Sequence, residues 1–475
     1  MSEDLLYLTA TEALKRFADR TLSPVELLDA QIARAETTAD SINAFTYTHF
    51  DEARDAARAS EARWAKGAPM GCLDGLTVAV KDESYIEGQK TSHGSLLHEN
   101  DPPASFTSPN NTRILNEGAI VHARTATPEF SAAVVCWSRL WGVTRNPWNA
   151  DYTPGGSSGG ASAALAAGTT TLATGSDIGG SIRVPASCAG VLGFKPPYGR
   201  NPDDIPFNYD FYCHTGPLAR STQDLILLQN VMCGPHPHDA ASLYPKLTLP
   251  TSYPDIKGWK IALSMDLGSY TVREDVRRNT LAAAEILRSL GAEVEEVDIG
   301  WGPEVPQACF NYLGHLFGGA LSEALPEHAD KLTSYVRKVA EDATISTGAD
   351  FVATLQVAGE SYMKLGPLLD RYDCLICPTT AIPAAPAAFD SAAEKLVIEG
   401  VEMESAMGWV LTPPFNMHSR CPVISVPTGF GTEGVPTGMQ IVAPTYRDAT
   451  AFQLATAYEA ATGGWYNTAD SRPRL

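Results

Sequence analysis

The chain has 475 residues, of which 44% are hydrophobic and 19% are charged, and its formal net charge is −20 at pH 7. This length and apolar content allow a large folded core and exclude an intrinsically disordered chain. The excess of acidic residues would repel phosphate backbones and anionic lipid, so we expect neither nucleic acid nor a membrane surface as a partner.

The cysteines and the first residues bear on the cellular compartment. Nine cysteines are spread thinly along the chain, an odd number that predicts reduced thiols rather than a disulfide framework. Cys374 and Cys377 lie in an apolar run before Pro378, which favours a buried strand over a redox or metal site. Residues 1–10 do not resemble a signal peptide, and no apolar run is long enough to span a membrane. We therefore expect a cytoplasmic protein.

The first third of the chain alternates between helical and strand patterns. Residues 1–70 are expected to be a helical segment, with a capping box at residues 23–26 and an exposed helix over residues 51–66. Residues 76–82 then form a β-rich apolar run that ends in charge, and a second strand is predicted at residues 119–123 after a short helix. This alternation indicates an α/β layer structure.

The middle of the chain, residues 152–176, carries no charge and is rich in glycine, serine, alanine and threonine. A helix is predicted at residues 161–167 and a strand at 169–173, so we interpret the small residues as close packing around a site rather than as a linker. Further along, residues 259–299 read as a strand, a helix and a strand, and two short strands are predicted at residues 423–426 and 439–442.

Three short motifs that could carry chemistry have weak contexts. Residues 155–159 satisfy G-x-S-x-G, but turn-forming residues rather than a strand precede them, which argues against the nucleophile elbow of α/β-hydrolases. Residues 361–364 satisfy S-x-x-K without its partner motifs and are interpreted as helix surface. Residues 236–239, His-Pro-His-Asp, are predicted to be a solvated loop rather than a metal site.

A longer set of motifs resembles the amidase signature family. Residues 155–160 (GGSSGG) and 175–186 (GSDIGGSIRVPA) match it, as do residues 80–82 (VKD) and 193–196 (GFKP). Ser157 and Ser181 stand at the separation that the family pattern requires. Further matches extend the resemblance over most of the chain: residues 127–130, 146–147, 216–220, 372–373, 378–379, 415–416 and 425–427.

The resemblance implies a catalytic set without metal or organic cofactor. By position in the motifs, Ser181 is the nucleophile, Ser157 is a bridging serine in a cis peptide and Lys81 is the base. A serine hydroxyl is a weak nucleophile until a neighbour takes its proton, and a lysine amine can take one only when it is neutral. The hydroxyl of Ser157 can accept a proton from Ser181 while it donates its own to Lys81.

The resemblance also implies an oxyanion hole formed by four successive backbone amides, those of Ile178, Gly179, Gly180 and Ser181. Side chains at the two glycines would block close approach of the amides to the carbonyl under attack. A simple tight turn at the glycines is the alternative. Asp177 and Arg183 are expected to form a supporting ion pair, and Ser158 is expected to cap the helix that follows it.

The substrate is less clearly indicated. Residues 204–214 are aromatic, whereas the glutamine-hydrolysing amidotransferase members of the family look serine-rich there, and this suits an apolar acyl group bound by Tyr209, Phe211 and Tyr212. A second aromatic cluster could line the same cleft, and ordinary core packing explains both sets equally well. That second cluster consists of Trp301, Phe310, Tyr312 and Phe317.

These observations lead to one prediction for the whole chain. We expect a single α/β domain over residues 1–475 with a mixed central sheet flanked by helices, a signature core at 71–225, and a remainder at 226–475 of which 300–400 contributes to the substrate cleft. The expected function is hydrolysis of a carboxamide C–N bond, in aryl or alkyl amides or in carbamates, through an acyl-enzyme. The alternatives are a non-catalytic binding protein and the glutamine-hydrolysing component of a tRNA-dependent amidotransferase. A homodimer is a possible assembly.

Overall fold

Helices begin where the sequence supplies caps. The computed structural model describes residues 3–403, 405, 407–468 and 471–475. In it the predicted capping box is formed: the Glu26 amide donates to Ser23 Oγ at 3.1 Å, and the Ser23 amide donates to Glu26 Oε2 at 2.8 Å. The helices are α1 (Glu3–Leu6), α2 (Ala10–Asp19), α3 (Pro24–Ile42), α4 (Phe50–Ala65), α5 (Pro109–Asn116), α6 (Gly159–Ala167), α7 (Arg183–Ala189), α8 (Thr222–Met232), α9 (Glu274–Ser289), α10 (Glu304–Leu313), α11 (Gly319–Ser322), α12 (Leu325–His328), α13 (Ser334–Ala343), α14 (Gly348–Leu369), α15 (Pro414–Met417) and α16 (Asp448–Thr462).

Apolar runs form the strands. They are β1 (Phe45–Thr48), β2 (Thr77–Lys81), β3 (Ile120–Thr125), β4 (Trp137–Ser138), β5 (Gly142–Val143), β6 (Leu172–Ser176), β7 (Leu192–Lys195), β8 (Thr215–Ala219), β9 (Lys260–Leu263), β10 (Glu293–Glu296), β11 (Cys374–Pro378), β12 (Val397–Ile398), β13 (Val401–Glu402), β14 (Val423–Phe430) and β15 (Pro436–Val442). Three short helical turns complete the elements: Glu129–Ser131, Phe207–Tyr209 and Gly314–Gly318.

Eleven strands form one mixed central sheet, in the order β1-β3-β2-β6-β8-β7-β14-β15-β11-β9-β10. Strand β2 is parallel to both of its neighbours, β3 and β6. From β6 to β11 each pair is antiparallel, and β11, β9 and β10 are parallel again. Helices flank this sheet, so the predicted fold class, one domain with a mixed sheet between helices, is confirmed.

Most of the predicted local elements are found. The strand predicted at residues 76–82 is β2, and residues 259–299 form the predicted parallel unit β9-α9-β10. The strand predicted at residues 169–173 is wrong by three residues, because it begins at Leu172. The threonines before it are held by other bonds: the Thr169 amide closes α6 on the Ala164 carbonyl, and the Thr171 amide donates to the Thr77 hydroxyl.

Two further predictions from short motifs have mixed outcomes. Residues 361–364 lie on helix α14, as expected, but Ser361 is buried within 3.3 Å of His418 Nε2 rather than at the surface. Cys374 and Cys377 lie in the buried strand β11, as expected. None of the described helices combines the length and the apolar character needed to cross a membrane.

Candidate active site

Lys81 is the last residue of β2, the buried strand that the sequence indicated. Its side chain is 1% exposed, and its ammonium nitrogen contacts three oxygen atoms. Nζ lies 2.7 Å from Ser157 Oγ, 2.8 Å from Ser176 Oγ and 3.0 Å from Glu83 Oε2. The predicted contact between Lys81 and Ser157 is therefore formed, together with two contacts that the sequence analysis missed.

Glu83 is the charged partner of this lysine. Its amide turns back onto the Lys81 carbonyl at 2.8 Å, and its Oε2 accepts a hydrogen bond from Ser131 Oγ at 2.6 Å. Burial alone would raise the pKa of Glu83, but the charge of Lys81 and the hydrogen bonds from Ser131, Ser176 and Lys81 outweigh it and lower that pKa. The sequence carries little signal for this contact, because a turn after β2, and not an extended strand, brings the carboxylate back to Lys81.

The two serines of the motifs lie on adjacent turns, each leading into a helix. Ser157 and Ser181 are both buried, and the Gly156–Ser157 peptide bond is cis. The two turns are joined by a hydrogen bond of 3.2 Å from the Ser158 amide to the Ser181 carbonyl. Within the described residues, the Ser181 hydroxyl has no hydrogen-bond partner. Ser157 is thus connected to Lys81, while the Ser181 oxygen is uncommitted.

The turn before Ser181 is shaped by the carboxylate of Asp177. Asp177 Oδ1 accepts the Gly180 amide at 2.8 Å, and Oδ2 accepts the Ile182 amide at 3.1 Å. Gly180 has a φ of +123°, and a Cβ there would collide with the Thr412 side chain, so only glycine fits. Of the four amides predicted to face an oxyanion, that of Gly180 is therefore already bonded. The other three, Ile178, Gly179 and Ser181, donate to no acceptor in the described part of the chain.

Asp177 and Arg183 form the ion pair that the sequence indicated. Arg183 Nη2 lies 2.8 Å from Asp177 Oδ1, and both side chains are fully buried. Burial alone would raise the pKa of Asp177, but the Arg183 charge and hydrogen bonds from Arg183 and Asn416 hold that pKa well below its usual range. Arg183 also donates to Gln440 Oε1 at 2.7 Å. The pair fixes the turn before Ser181 to the sheet.

Ser158 does not cap α6, so that prediction is wrong. Its side chain makes no hydrogen bond to the first turn of the helix. Instead its hydroxyl pairs with the backbone of Ser176, at 3.4 Å from both the amide nitrogen and the carbonyl oxygen. The hydroxyl therefore joins the start of α6 to the end of β6, which carries the second hydroxyl that contacts Lys81.

A cavity of about 620 Å³ adjoins these turns. A Cβ added to Gly156 would lie 2.6 Å from the Val135 carbonyl oxygen, and one added to Gly179 would lie 3.0 Å from Met407 Cε and 3.5 Å from Leu313 Cδ1. Because these three residues line the cavity, its wall touches the residues that precede Ser157 and Gly180. The apolar part of the wall includes Val134, Val135, Phe310, Leu313 and Met407.

The aromatic residues predicted to bind substrate have different environments, although the rings of Phe211 and Tyr212 are in contact, with centroids 5.3 Å apart. Tyr209 is 70% exposed, whereas Tyr212 is 1% exposed and stacks on Tyr312 with ring centroids 3.6 Å apart. Phe211 lines a second cavity of about 280 Å³, beside Tyr362 and Met417. The lining of the 620 Å³ cavity contains none of the three predicted residues, but it contains Phe310 of the second aromatic cluster.

The side chains that could ligate a metal are scattered. Among the described residues, no three histidine, cysteine, aspartate or glutamate side chains are grouped so that they could hold a metal ion. His236 and Asp239 are joined by an isolated β-bridge in a loop, the conformation expected from residues 236–239.

Comparison with known proteins gives a consistent picture. A family model described as Amidase matches residues 26–452. An acylamidase of Rhodococcus erythropolis is 32% identical, over 96% of this chain and 96% of that protein. A glutamyl-tRNA(Gln) amidotransferase subunit from Cyanothece sp. is 28% identical, over 98% of this chain and 99% of that protein. The crystal structure of a bacterial aryl acylamidase of the amidase signature family is similar with a TM-score of 0.89 and 28% identity, over 96% of both chains.

Proposed function

This chain belongs to the amidase signature family and is an amide-hydrolysing enzyme, and from that premise we propose that it works through Ser181, Ser157 and Lys81. The observation that carries the proposal is the 2.7 Å hydrogen bond between Lys81 Nζ and Ser157 Oγ, on a turn bonded to that of Ser181. The Ser157 hydroxyl therefore contacts the buried amine, and the turn that carries it is bonded to the turn that carries the uncommitted Ser181 oxygen.

In the proposed acylation step, the Ser181 oxygen attacks the amide carbonyl carbon. Its proton passes to Ser157 Oγ as the proton of Ser157 passes to Lys81 Nζ, which becomes an ammonium. When the tetrahedral intermediate collapses, the C–N bond breaks and the proton returns through Ser157 to the leaving nitrogen. Water then repeats the sequence on the acyl-enzyme and releases the carboxylic acid.

The negative charge of the intermediate falls on the former carbonyl oxygen. We propose that the amides of Ile178, Gly179 and Ser181 stabilise it, because they point to no acceptor in the described residues. The Gly180 amide, bonded to Asp177, holds the shape of the turn instead. Losing one such donor typically costs about 3 kcal/mol of transition-state stabilisation.

The proposed substrate is an amide with an apolar aryl or alkyl acyl group. Support comes from the wall of the 620 Å³ cavity nearest the catalytic turns, which is formed by Val135, Leu313 and Met407. Burying an aryl group against such side chains contributes roughly 2 kcal/mol to binding. Carbamates present the same carbonyl carbon to Ser181 and are the second substrate class in the proposal. The relative described as an acylamidase supports the first class.

Glutamine hydrolysis is the alternative, because subunits of glutamyl-tRNA(Gln) amidotransferases match nearly the whole chain. Free glutamine carries an ammonium and a carboxylate, and each needs a polar partner when bound. Of the three charged residues that line the cavity, Lys338 and Asp342 are paired with each other at 2.6 Å, and Asp350 accepts two hydrogen bonds from Thr347. The apolar wall beside Gly156 and Gly179 favours the acylamidase function.

A substrate screen with purified enzyme tests the proposal. We expect release of 4-nitroaniline from aryl and alkyl 4-nitroanilides to exceed glutaminase activity, with a nitrophenyl carbamate as the third substrate. Ser181→Ala is expected to lower the rate at least a thousandfold while the thermal unfolding midpoint stays at the wild-type value, since only the attacking oxygen is lost. Preference for glutamine, or an active Ser181→Ala variant, would contradict the proposal.

Several broader predictions stay proposals. We propose a cytoplasmic location, which is supported by nine cysteines that are all free thiols. We propose the division of the chain into residues 1–70, 71–225 and 226–475, with residues 300–400 contributing to the substrate cleft. Residues of α10 and α13 line the 620 Å³ cavity, which supports that role for residues 300–400. A homodimer, and the lack of a nucleic-acid partner, are checked by light scattering of the purified protein.

A further inference from the structure

We propose that Glu83 is a positioning residue of this active site, whose carboxylate holds Lys81 in place and stabilises the ammonium that Lys81 becomes when it takes a proton from Ser157. The inference rests on the proposed function, because it assigns a role relative to the base. Its basis is the 3.0 Å contact between Glu83 Oε2 and Lys81 Nζ.

The three contacts of Lys81 match both protonation states of its amine. An ammonium has three N–H bonds, and the oxygens of Ser157, Ser176 and Glu83 can accept one each. A neutral amine has two N–H bonds and one lone pair. With those two N–H bonds donated to Ser176 and Glu83, the lone pair is directed at the Ser157 hydroxyl. The proton can therefore move between Ser157 and Lys81 without any rearrangement.

Glu83 is itself held by a strained turn. Ser131 donates to its carboxylate at 2.6 Å, and the Ser131 hydroxyl also lies 2.9 Å from Thr127 Oγ1. Phe130 and Ser131 have φ angles of 51° and 58°, two consecutive left-handed residues that are not glycine. Such conformations cost roughly 1–3 kcal/mol each and persist where the surroundings require them, often beside a catalytic group. The turn delivers the hydroxyl that orients Glu83.

The other titratable and charged groups near the pair have different partners. The Arg124 guanidinium donates to the backbone carbonyls of Val80 and Lys81 at 3.4 and 3.1 Å. Asp82 accepts the Ser92 amide at 2.9 Å. Burial lowers the pKa of His93 to about 4, so it is neutral at pH 7. The remaining groups are Asp203, whose pKa burial raises to about 7, and two thiols whose pKa values burial raises, Cys136 and Cys213.

Within the described residues, Glu83 is the only carboxylate in ion-pair contact with Lys81. It stays ionised through the cycle, and no bond to it is made or broken. Its charge favours the ammonium form, so Lys81 is a stronger base with Glu83 than without it. A carboxylate at this distance favours an ammonium over a neutral amine, so we expect replacement of Glu83 to change the pH dependence of the reaction.

The test compares pH profiles of kcat/KM for 4-nitroanilide hydrolysis. Glu83→Gln removes the charge and keeps the shape. We expect its rising acid limb to move about 1 to 3 pH units lower, because Lys81 loses an opposite charge at contact distance. We also expect a plateau lowered roughly tenfold, because the base is weaker. Glu83→Asp keeps the charge and is expected to keep the midpoint near that of the wild type.

Matched controls separate this role from packing. Glu87→Gln removes a carboxylate from an exposed residue on the same segment and is expected to have the wild-type profile. Ser131→Ala keeps the Glu83 charge but removes its support, and should shift the limb in the same direction by a smaller amount. It also tests the proposal if Glu83→Gln does not fold.

Two outcomes would overturn the proposal for Glu83. One is a Glu83→Gln profile with the wild-type midpoint, whatever its plateau. If that variant does not fold, the other is a Ser131→Ala profile with the wild-type midpoint. Ser181→Ala, measured in the same series, distinguishes failure of this proposal from failure of the proposed function. An active Ser181→Ala variant would refute the triad. An inactive Ser181→Ala variant, together with a Glu83→Gln profile that is not shifted, would refute only the role of Glu83.

Discussion

The Nζ atom of Lys81 contacts three oxygen atoms, which belong to Ser157, Ser176 and Glu83. Replacing Lys81 with alanine removes the proton acceptor but leaves the cavity wall untouched. We expect Lys81→Ala to lower kcat by roughly 10²- to 10⁴-fold, the usual contribution of a general base, with KM changed far less. Steady-state kinetics on a 4-nitroanilide measure both constants.

The exposed Lys66 at the end of α4 provides the control for that measurement. Lys66→Ala removes an exposed lysine that is not part of the proposed site and should leave kcat unchanged. A Lys81→Ala variant with near-wild-type kcat and the wild-type pH profile would mean that another group accepts the proton of Ser157.

The Asp177–Arg183 pair supports a different prediction at this scale. Both side chains are fully buried, so removing one leaves an uncompensated charge in the interior. We expect Asp177→Ala to lower the free energy of unfolding by about 3–5 kcal/mol, measured by urea denaturation. The double variant Asp177→Ala/Arg183→Leu removes both charges and should recover part of this loss. With Arg183→Leu as the second single variant, a double-variant loss equal to the sum of the two single losses would show that the pair is not coupled.

The Asp177–Arg183 pair also predicts how the stability of the fold changes in acid. The pKa of Asp177 is lowered on folding, because the Arg183 charge and hydrogen bonds from Arg183 and Asn416 outweigh burial. Its stabilising contribution is therefore present above the ordinary carboxyl pKa of 3.8 and is lost as the pH falls below that value. We expect a steeper loss of wild-type stability below pH 4 than for Asp177→Asn. Parallel acid-unfolding curves for the two proteins would contradict this.

At the scale of elements, the sequence predicted the parts of the site whose signal is local. The apolar run of β2 ends at Lys81, and the small-residue stretch before Ser176 forms α6 and β6, because these patterns act on neighbouring residues. Contacts made by distant segments had no such signal. Leu313 at the end of α10 and Met407 in a turn lie against Gly179 only because segments from the second half of the chain pack there.

The same limit explains the aromatic residues. Tyr209, Phe211 and Tyr212 are neighbours in sequence, yet one is exposed, one lines the smaller cavity and one is buried under Tyr312. Their common aromatic character could not separate these environments, because the packing partners come from distant segments: Phe211 and Tyr212 both pack against Tyr312 of α10. Glu83 and Ser176 were missed for a similar reason, because the convergence of their side chains on Lys81 is set by the fold.

The two cavities lead to different predictions about which acyl groups the enzyme accepts. Leu313→Trp adds a large side chain to the wall of the 620 Å³ cavity, where Leu313 borders Gly179. We expect it to raise KM at least tenfold for a benzoyl 4-nitroanilide but little for an acetyl one, because only the larger acyl group needs the space. Phe211→Ala alters the smaller cavity and should leave the ratio of the two substrates unchanged.

Steady-state kinetics with both anilides test this assignment. The reverse pattern would be a raised KM for the benzoyl substrate in Phe211→Ala but not in Leu313→Trp. It would mean that the acyl pocket lies at the aromatic segment, residues 204–214. Thermal unfolding midpoints of both variants provide the check that each is folded.

At the scale of the whole molecule, the mixed sheet brings the proposed catalytic residues together from two strand ends and the turns beside them. Lys81 ends β2, Ser176 ends β6, and the two strands are parallel neighbours. Parallel neighbours end at the same edge of a sheet, which explains why these two side chains meet. Asp177 and the turn of Ser181 follow directly from β6, so the proposed nucleophile lies at the same edge of the sheet as the proposed base.

The net charge of −20 affects how charged substrates approach this edge of the sheet. A field of that sign lowers the local concentration of anionic molecules, and salt screens it over a Debye length of about 10 Å at 0.1 M. We compare a neutral 4-nitroanilide with one that carries a carboxylate on the same acyl chain. For the anionic substrate, kcat/KM should rise several-fold between about 10 mM and 0.5 M salt, because screening removes the repulsion.

The neutral substrate controls for direct effects of salt on the enzyme, and its rate should change little. If the anionic substrate instead loses activity as salt is added, a local positive potential at the cleft must outweigh the charge of the whole molecule, and Lys338 at the cavity wall is then the residue to replace.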